Sequence, residues 1–148
     1  MNDPSIEPAV RGDLADIKRL LTANGLPTAG VDGWMESALV ARAKGRTIGS
    51  AVLELYPSGV LLRSLVVDAD WRGTGLGRRL TDAALTLARQ RGASVAYLLT
   101  TTAPEFFPRF GFTPVSRADV PDDVKQSVEF TSACPSSAIV MRAYLGGA

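Results

Sequence analysis

The sequence predicts one α/β domain whose mixed, mostly antiparallel sheet is flanked by helices. Two short turns, at 44–46 and 57–59, separate three apolar segments, and strands joined this closely pair as antiparallel hairpins. A glycine-rich turn at 72–77 then leads from the third segment into an amphipathic helix. The 148 residues, 46% of them apolar, are enough to bury a core, so we expect a single domain over 1–148.

Local signals define the elements before the glycine-rich turn. Residues 5–11 predict a first strand, and Asp13 is placed to cap the helix that follows. The Asn24-Gly25 pair ends this helix, and 28–33 predict a loop. Three strands are then expected, over 37–43, 47–56 and 60–67.

The helix after the glycine-rich turn is predicted over 76–91. Its apolar residues recur every three or four positions and share one face: Leu76, Leu80, Ala83, Ala84, Leu87 and Ala88. The rest of the chain predicts a buried strand at 95–100, a short helix at 104–110, a strand from 111, a helical turn within 121–130 and a final strand at 138–144.

The charge balance argues against highly charged or lipid partners. The net charge is only +1, so no nucleic-acid or membrane partner is expected. No apolar run is long enough to cross a bilayer, and residues 1–5 lack the basic and apolar regions of a signal peptide. We therefore expect a cytoplasmic protein.

The chain contains no histidine and a single cysteine, Cys134. This composition excludes histidine-dependent nucleophilic catalysis, histidine metal sites and cysteine-rich zinc sites, so no metal is expected. Any catalysis must use carboxylates, hydroxyls, Arg, Lys, backbone groups or water. We interpret Cys134 as a small packing residue and not as a nucleophile.

The glycine-rich turn predicts a site for a phosphate-bearing cofactor, because glycines let backbone N–H groups converge and a helix start adds partial positive charge. A Walker P-loop requires Lys and then Ser or Thr after its last glycine, whereas Gly77 is followed by Arg78-Arg79. A Rossmann fingerprint requires wider spacing than glycines at 73, 75 and 77. A turn that merely connects a strand to a helix is the simpler alternative.

Residues 72–77, Arg-Gly-Thr-Gly-Leu-Gly, resemble the Arg/Gln-x-x-Gly-x-Gly/Ala motif of the GNAT N-acetyltransferases. The preceding 65–68 and Trp71 resemble the strand that enters this motif in the family. The aromatic run 106–112, which ends in Gly-Phe, resembles the family's second landmark. The resemblance implies the GNAT fold for most of the chain.

Within the family, the chain is similar to the arsenic-resistance-associated GNAT subgroup and to the acetyltransferase domain of amino-acid (glutamate) N-acetyltransferases. The similarity lies in four segments, 62–65, 98–102, 105–107 and 129–138. It implies a small amino-acid-like acceptor and a role in resistance to arsenic or another toxic compound. Family members are often dimers, which implies a homodimer.

The resemblance also implies acetyl-CoA as donor and a primary amine as acceptor. The turn would present N–H groups to the pyrophosphate, with charge-assisted contacts from Arg72 and Arg78 and a weaker case for Arg79. Main-chain groups of Leu65 and Val67 would hold the pantetheine arm, and an N–H on the same strand would polarise the thioester carbonyl. The cofactor set is Leu65, Val66, Val67, Arg72, Gly73, Thr74, Gly75, Leu76, Gly77 and Arg78.

The acid and base that many family members use are absent from the corresponding positions. A glutamate on the fourth strand is replaced by Leu61, and a tyrosine before the Gly-Phe landmark is replaced by Phe107. We take Glu54, on the neighbouring strand, as the candidate base, with an exposed strand glutamate as the alternative. Protonation of the CoA thiolate would be left to water.

Arg63 is a charged residue within an apolar strand, which is costly unless the charge is paired or lies in a cleft. It is a candidate clamp for a substrate carboxylate, and a structural ion pair or a solvent-facing position are the alternatives. Thr100 and Thr101, at the end of the next strand, are candidates for hydroxyl contacts with the substrate.

Three functions agree with these residues. The first is acetylation of a small amino-acid-like amine, and the second is acetylation of proteins or peptides. The third is a non-catalytic acyl-CoA-binding sensor, which Leu61 and Phe107 favour because the usual acid and base are missing.

Overall fold

The computed structural model describes residues 3–133 and 136–146, so the interpretation of Cys134 lies outside the described residues. Within these described ranges, seven strands form one sheet in the order β1-β2-β3-β4-β5-β7-β6. They are β1 (Ser5–Pro8), β2 (Ala38–Ala43), β3 (Arg46–Tyr56), β4 (Gly59–Val67), β5 (Val95–Thr100), β6 (Thr113–Pro114) and β7 (Ile139–Tyr144). Neighbouring strands are antiparallel except β4 and β5, which confirms the predicted mixed α/β sheet.

In the part of the chain that the structure describes, two α-helices cover opposite faces of the sheet, α1 (Leu14–Ala23) and α2 (Leu76–Gln90). Successive side chains of a strand point to opposite faces, and accordingly Leu53 packs in the core with α2 while Val52 packs with α1. Helix α2 buries Leu76, Leu80, Thr81, Ala84, Leu85 and Ala88. No helix in the described ranges is long and apolar enough to span a membrane.

A β-bulge interrupts the pairing of β3 with β4. Strand β4 carries one residue more than β3 between the pairs Ser50–Val66 and Val52–Arg63. Ser64, within this bulge, has a φ of 57°, a left-handed conformation that is uncommon outside glycine. The Ser50 hydroxyl donates a hydrogen bond of 2.8 Å to the Ser64 carbonyl. Such a bulge bends its strand and increases the local twist.

Strands β4 and β5 separate soon after they begin. Within the described chain they pair at two positions, Val60–Ala96 and Leu61–Tyr97. Beyond these pairs the two strands diverge and leave a cleft between their C-terminal parts. Leu61 itself is fully buried in a cluster with Tyr97, so this position is part of the core.

The start of the chain differs from its prediction in two details. The first strand ends at Pro8, because a 3-10 turn, Arg11–Asp13, precedes α1. The Asp13 side chain does not cap α1 as predicted. Its Oδ2 instead accepts hydrogen bonds of 2.8 Å from the backbone N–H of Val10 and from Nη2 of Arg42. Asp13 therefore ties the turn to β2.

Short turns also differ from the elements predicted for them. The strand expected from 111 shortens to β6, where Pro114 offers no N–H to a neighbouring strand. The helix expected at 104–110 is a four-residue 3-10 turn that ends at Gly111, whose φ is 91°. Turns of the 3-10 or π type lie at Val31–Ser37, Phe107–Phe110, Val124–Gln126 and Glu129–Ala133.

Candidate active site

A cavity of about 230 Å³ opens where β4 and β5 separate. Its walls include 62–65 of β4, 98–103 at the end of β5, Phe106, Phe107 and Glu129. Leu62 belongs to the core under α2, whereas the next side chain, Arg63, points to the opposite face. The cavity therefore receives side chains from both faces of the sheet.

The glycine-rich turn leaves the start of α2 open to an anion. Gly73 and Gly75 have left-handed φ values of 79° and 86°, and a Cβ added at either would meet no atom within 4 Å. Gly75 is the N-cap of α2, and the first turn contains no acidic residue. Because the first N–H groups of a helix have no partner within the helix, those at 76–78 are free to bind an anion.

A groove joins this turn to the cavity. Val67, Arg72 and Phe106 line the depression at the turn. Leu65, Val67 and Arg72 line a second depression beside it, and Leu65 and Phe106 also line the cavity. Of the predicted cofactor set, Leu65 to Val67 thus lie along one side of the groove, and 72–78 lie at its end.

Four arginines lie near the turn and differ in their contacts. Arg72 donates a hydrogen bond to Oδ1 of Asn24 at the end of α1 and still lines the groove. Arg78 is exposed beside the turn, whereas Arg79 turns away and donates to the carbonyl of Pro4 at 2.9 Å. Arg109, which the sequence interpretation missed, lies 5.1 Å from the ring centre of Phe106 and lines the same depression.

Arg63 is buried and ion-paired. Its Nη1 lies 2.9 Å from Oε2 of Glu54, and its Nη2 lies 3.5 Å from Oε2 of Glu129. Its Nε donates to the Ser64 hydroxyl at 3.2 Å, and Nη2 also donates to the Pro27 carbonyl at 3.5 Å. The structural ion pair weighed for Arg63 is present, and the solvent-facing alternative is wrong. A carboxylate clamp would have to share a guanidinium that already faces two carboxylates.

Glu54 is not the exposed strand residue that the sequence allowed, because only 1% of it is accessible. Its Oε1 accepts a hydrogen bond of 2.5 Å from the Tyr56 hydroxyl, and its Oε2 faces Arg63. Burial, and then the hydrogen bond to Glu54, raise the pKa of Tyr56 well above its ordinary value. Glu54 therefore lies behind Arg63 and does not line the cavity.

Glu129 is the carboxylate at the cavity wall, and the sequence interpretation did not single it out. It lies in the turn Glu129–Ala133, and its side chain is 7% accessible. Its backbone N–H donates to the Ser127 hydroxyl at 3.1 Å, which helps to hold the turn. No periodic pattern marks this segment, so the contact between Glu129 and Arg63 depends on tertiary folding.

The remaining predicted positions, at the end of β5 and at Phe107, all line the cavity. Thr100 and Thr101 both line the cavity, Thr100 being buried and Thr101 exposed. The Thr100 hydroxyl accepts a hydrogen bond of 3.1 Å from the backbone N–H of Ala103, which shapes the turn after β5. Phe107 packs edge-on against Phe106 and against Phe112, in agreement with a packing role.

Solved structures of similar fold include known acetyltransferases. N-acetylglutamate synthase from Neisseria gonorrhoeae, complexed with coenzyme A and N-acetyl-glutamate, matches with a TM-score of 0.84 and 21% identity. The match covers 99% of this chain but 36% of the synthase, so this chain spans about a third of that protein. These identities establish similarity of fold alone.

Two further structures match over nearly their whole length. Rv2747 from Mycobacterium tuberculosis, in complex with CoA and a second ligand, gives a TM-score of 0.81 at 22% identity, covering 95% of this chain and 99% of that one. A GNAT-family acetyltransferase from Staphylococcus aureus Mu50 gives 0.76 at 16% identity, covering 97% and 100%.

The sequence itself matches a protein family over more than half of its length. The acetyltransferase (GNAT) domain family matches residues 35–114. This stretch runs from the 3-10 turn before β2 through the glycine-rich turn and α2 to β6, and so contains the groove and most of the cavity walls. The chain belongs to the GNAT acetyltransferase domain family.

Proposed function

We propose that this GNAT acetyltransferase transfers the acetyl group of acetyl-CoA to the primary amine of a small, amino-acid-like molecule. The continuous groove from the start of α2, along β4 and into the cavity carries this proposal. One end of the groove suits a phosphate group, and the other end is a confined space with ionised side chains. The family supplies the reaction class.

The donor would lie along the groove. Its pyrophosphate would accept hydrogen bonds from the N–H groups of 73–78, with Arg72, Arg78 and Arg109 around them. Its pantetheine arm would follow Leu65 to Val67, because no described residue pairs there with the edge of β4 that faces β5. Solved structures of similar fold contain CoA, which supports this donor.

The reaction would be direct attack of a neutral amine on the thioester carbonyl. A C–N bond forms, the C–S bond breaks, and a main-chain N–H of β4 near the bulge would stabilise the oxyanion between these steps. Alignment of the two substrates in one cavity supplies much of the acceleration. Because Leu61 and Phe107 carry no ionisable group, the thiolate would take its proton from water.

The acceptor would be small, because a cavity of about 230 Å³ must hold both the thioester end of the donor and the amine. The wall of the cavity contains groups that can bind charged and polar parts of a substrate, namely Arg63, Glu129 and Thr101. An amino-acid-like amine meets these demands. A glutamate-like acceptor or an arsenic-containing amino acid, with a role in resistance, is the narrower form of this proposal.

The test is an acetyltransferase assay with acetyl-CoA and a panel of amines, in which free thiol is measured and the product is identified by mass spectrometry. The panel would contain amino acids, arsenic-containing amino acids, simple alkylamines and lysine-containing peptides. Turnover of amino acids over peptides would support the proposal. Turnover of peptides alone, or tight acetyl-CoA binding in calorimetry without turnover, would overturn it in favour of a protein acetyltransferase or a sensor.

The proposal takes residues 1–148 as one acetyltransferase domain that works as a cytoplasmic homodimer. Rv2747, which this chain covers over 99% of its length, supports the single domain. Light scattering of the purified protein and fractionation of the source cells would check the dimer and the location.

A further inference from the structure

The cavity wall contains an acidic group that is held from behind by a chain of buried polar side chains. Tyr56 donates to Glu54 at 2.5 Å, Glu54 pairs with Arg63 at 2.9 Å, and Arg63 pairs with Glu129 at 3.5 Å. Three elements supply these groups, namely β3, β4 and the turn before β7. Of these four linked side chains, Glu129 is the carboxylate that lines the cavity.

Accessibility separates the two carboxylates. The Glu54 side chain is 1% accessible and lies on the far side of Arg63, whereas the Glu129 side chain is 7% accessible and lines the cavity. A substrate that enters the cavity therefore meets Glu129 before it could meet Glu54.

A carboxylate on the wall of the cavity suits a cationic guest. The Glu129 side chain is 7% accessible and lines the cavity. Opposite charges attract each other more strongly where water is largely excluded. An ammonium group beside Glu129 would gain from this carboxylate, and it would lie where the acetyl thioester is proposed to end.

We propose that Glu129 binds the ammonium group of the acceptor and takes its proton, and that Arg63 is a positioning residue that holds the Glu129 carboxylate at the wall. This inference rests on the proposed acetyl transfer. Glu129 replaces Glu54 as the proposed base. Glu54 and Tyr56 then serve to hold Arg63 in place.

The protons balance in this scheme. The bound R–NH3⁺ gives one proton to the Glu129 carboxylate, directly or through one water, and the neutral amine attacks the thioester carbonyl. When the C–S bond breaks, the nitrogen loses a second proton, which passes through water to the CoA thiolate. Glu129 then releases its proton to solvent, so the products are the N-acetyl amine, CoA thiol and one proton.

The test compares Glu129→Gln with the wild-type protein on two amines of nearly the same shape. Ethylamine is protonated at pH 7, whereas methoxyamine is largely neutral there and needs no base before it attacks the thioester. We expect Glu129→Gln to lower kcat/KM for ethylamine by about 100-fold or more. We expect a much smaller loss for methoxyamine, within about tenfold, because its nitrogen is already neutral and needs no deprotonation before it attacks.

A pH profile gives an independent readout. For Glu129→Gln, kcat/KM for ethylamine should rise about tenfold per pH unit between pH 7 and 9, because free amine must then come from solution and alkylammonium groups titrate near 10.4. The wild-type profile should be nearly flat over this range. Glu36→Gln, which changes an exposed carboxylate away from the cavity, is the matched control and should behave as wild type.

The positioning role is tested with Arg63→Lys and Arg63→Gln. Arg63→Lys keeps one cation beside Glu129 and should retain the flat profile at reduced kcat, whereas Arg63→Gln should show the rising profile of Glu129→Gln. Acetyl-CoA affinity and the far-UV circular dichroism spectrum should be unchanged in variants that fold.

Three outcomes overturn the inference. One is a wild-type rate for Glu129→Gln, and another is an equal loss for the two amines with a flat pH profile. The third is absence of turnover with any amine in the wild-type protein, which also overturns the proposed function, whereas the first two leave that function intact.

Discussion

Oε2 of Glu54 and Nη1 of Arg63 lie 2.9 Å apart, and the two side chains expose 1% and 0% of their surface. Because water cannot reach the pair, removal of one partner leaves the other charge buried with less compensation. Glu54→Leu should therefore lower the free energy of unfolding by about 3 kcal/mol. The double variant Glu54→Leu/Arg63→Met should regain part of that loss in urea denaturation, and only part because Glu129 then loses its contact with Arg63. Equal stability of Glu54→Leu and wild type would contradict the prediction.

Gly77 allows a test of the anion site that leaves the fold intact. Its Cβ would meet Phe106 and Val67 at 3.7 Å, an ordinary contact, and its φ is not left-handed. In Gly77→Asp the new carboxylate would repel the pyrophosphate, so acetyl-CoA should bind at least about tenfold more weakly in calorimetry. Gly77→Asn, the neutral control of the same shape, should bind more tightly than Gly77→Asp.

The thermal stability of the same two variants tests whether the weaker acetyl-CoA binding is a local effect of the carboxylate and not a loss of folding. A carboxylate in the first turn of a helix is favourable to the helix, so Gly77→Asp should melt at or above the temperature of Gly77→Asn. Equal acetyl-CoA affinity of the two variants would mean that the turn is not the pyrophosphate site.

Ser64 adopts its left-handed conformation at the bulge that separates β4 from β5. A β-branched side chain cannot adopt this conformation without strain, so Ser64→Val should destabilise the protein by about 1–3 kcal/mol. Ser64→Gly relieves the backbone and loses the hydroxyl that accepts from Arg63, and should stay within about 1 kcal/mol of wild type. Unfolding in guanidinium measures the stability of both variants. A Ser64→Val variant as stable as wild type would contradict the prediction that the backbone at this position is strained.

The ion pairs of Arg42 predict sensitivity to acid. The hydrogen bond from Arg42 is the main cause that holds the pKa of Asp13 below its ordinary 3.8, and partial burial opposes it. Because the folded-state pKa is depressed, the stabilisation is complete well above pH 3.8 and is lost as the pH falls through the lower, folded-state value.

The check is the free energy of unfolding of wild type and Asp13→Asn between pH 3 and 7. The difference between the two should be largest near pH 7 and should shrink as the solution is acidified. A difference that does not vary with pH would show that Asp13 acts through shape and not through charge.

The elements that were predicted well depend on local signals. The β3–β4 hairpin is set by a two-residue turn, and α2 is set by its apolar periodicity and the glycines before it. The same local signals could also have predicted the ion pair between Glu54 and Arg63. The turn places Glu54 opposite Leu61, so Arg63, two residues further, shares its face.

The rest of the site depends on contacts between distant segments. Glu129 follows Arg63 by more than sixty positions and lies in a turn that no periodic pattern marks. The Asp13 side chain turned to Arg42 because β2 brings a guanidinium beside it, which no capping rule takes into account. The glycine-rich turn before α2 could be predicted because its signal lies within six consecutive residues.

The two residue pairs that join β4 to β5 have a mechanical consequence. Among the described residues, Val60–Ala96 and Leu61–Tyr97 are the paired positions between one half of the sheet, β1 to β4, and the other half, β5 to β7. A molecule that fills the cleft contacts both halves of the sheet and holds them together. Since a ligand stabilises the state that binds it, the protein's resistance to unfolding and proteolysis should rise and fall with the supply of its own donor.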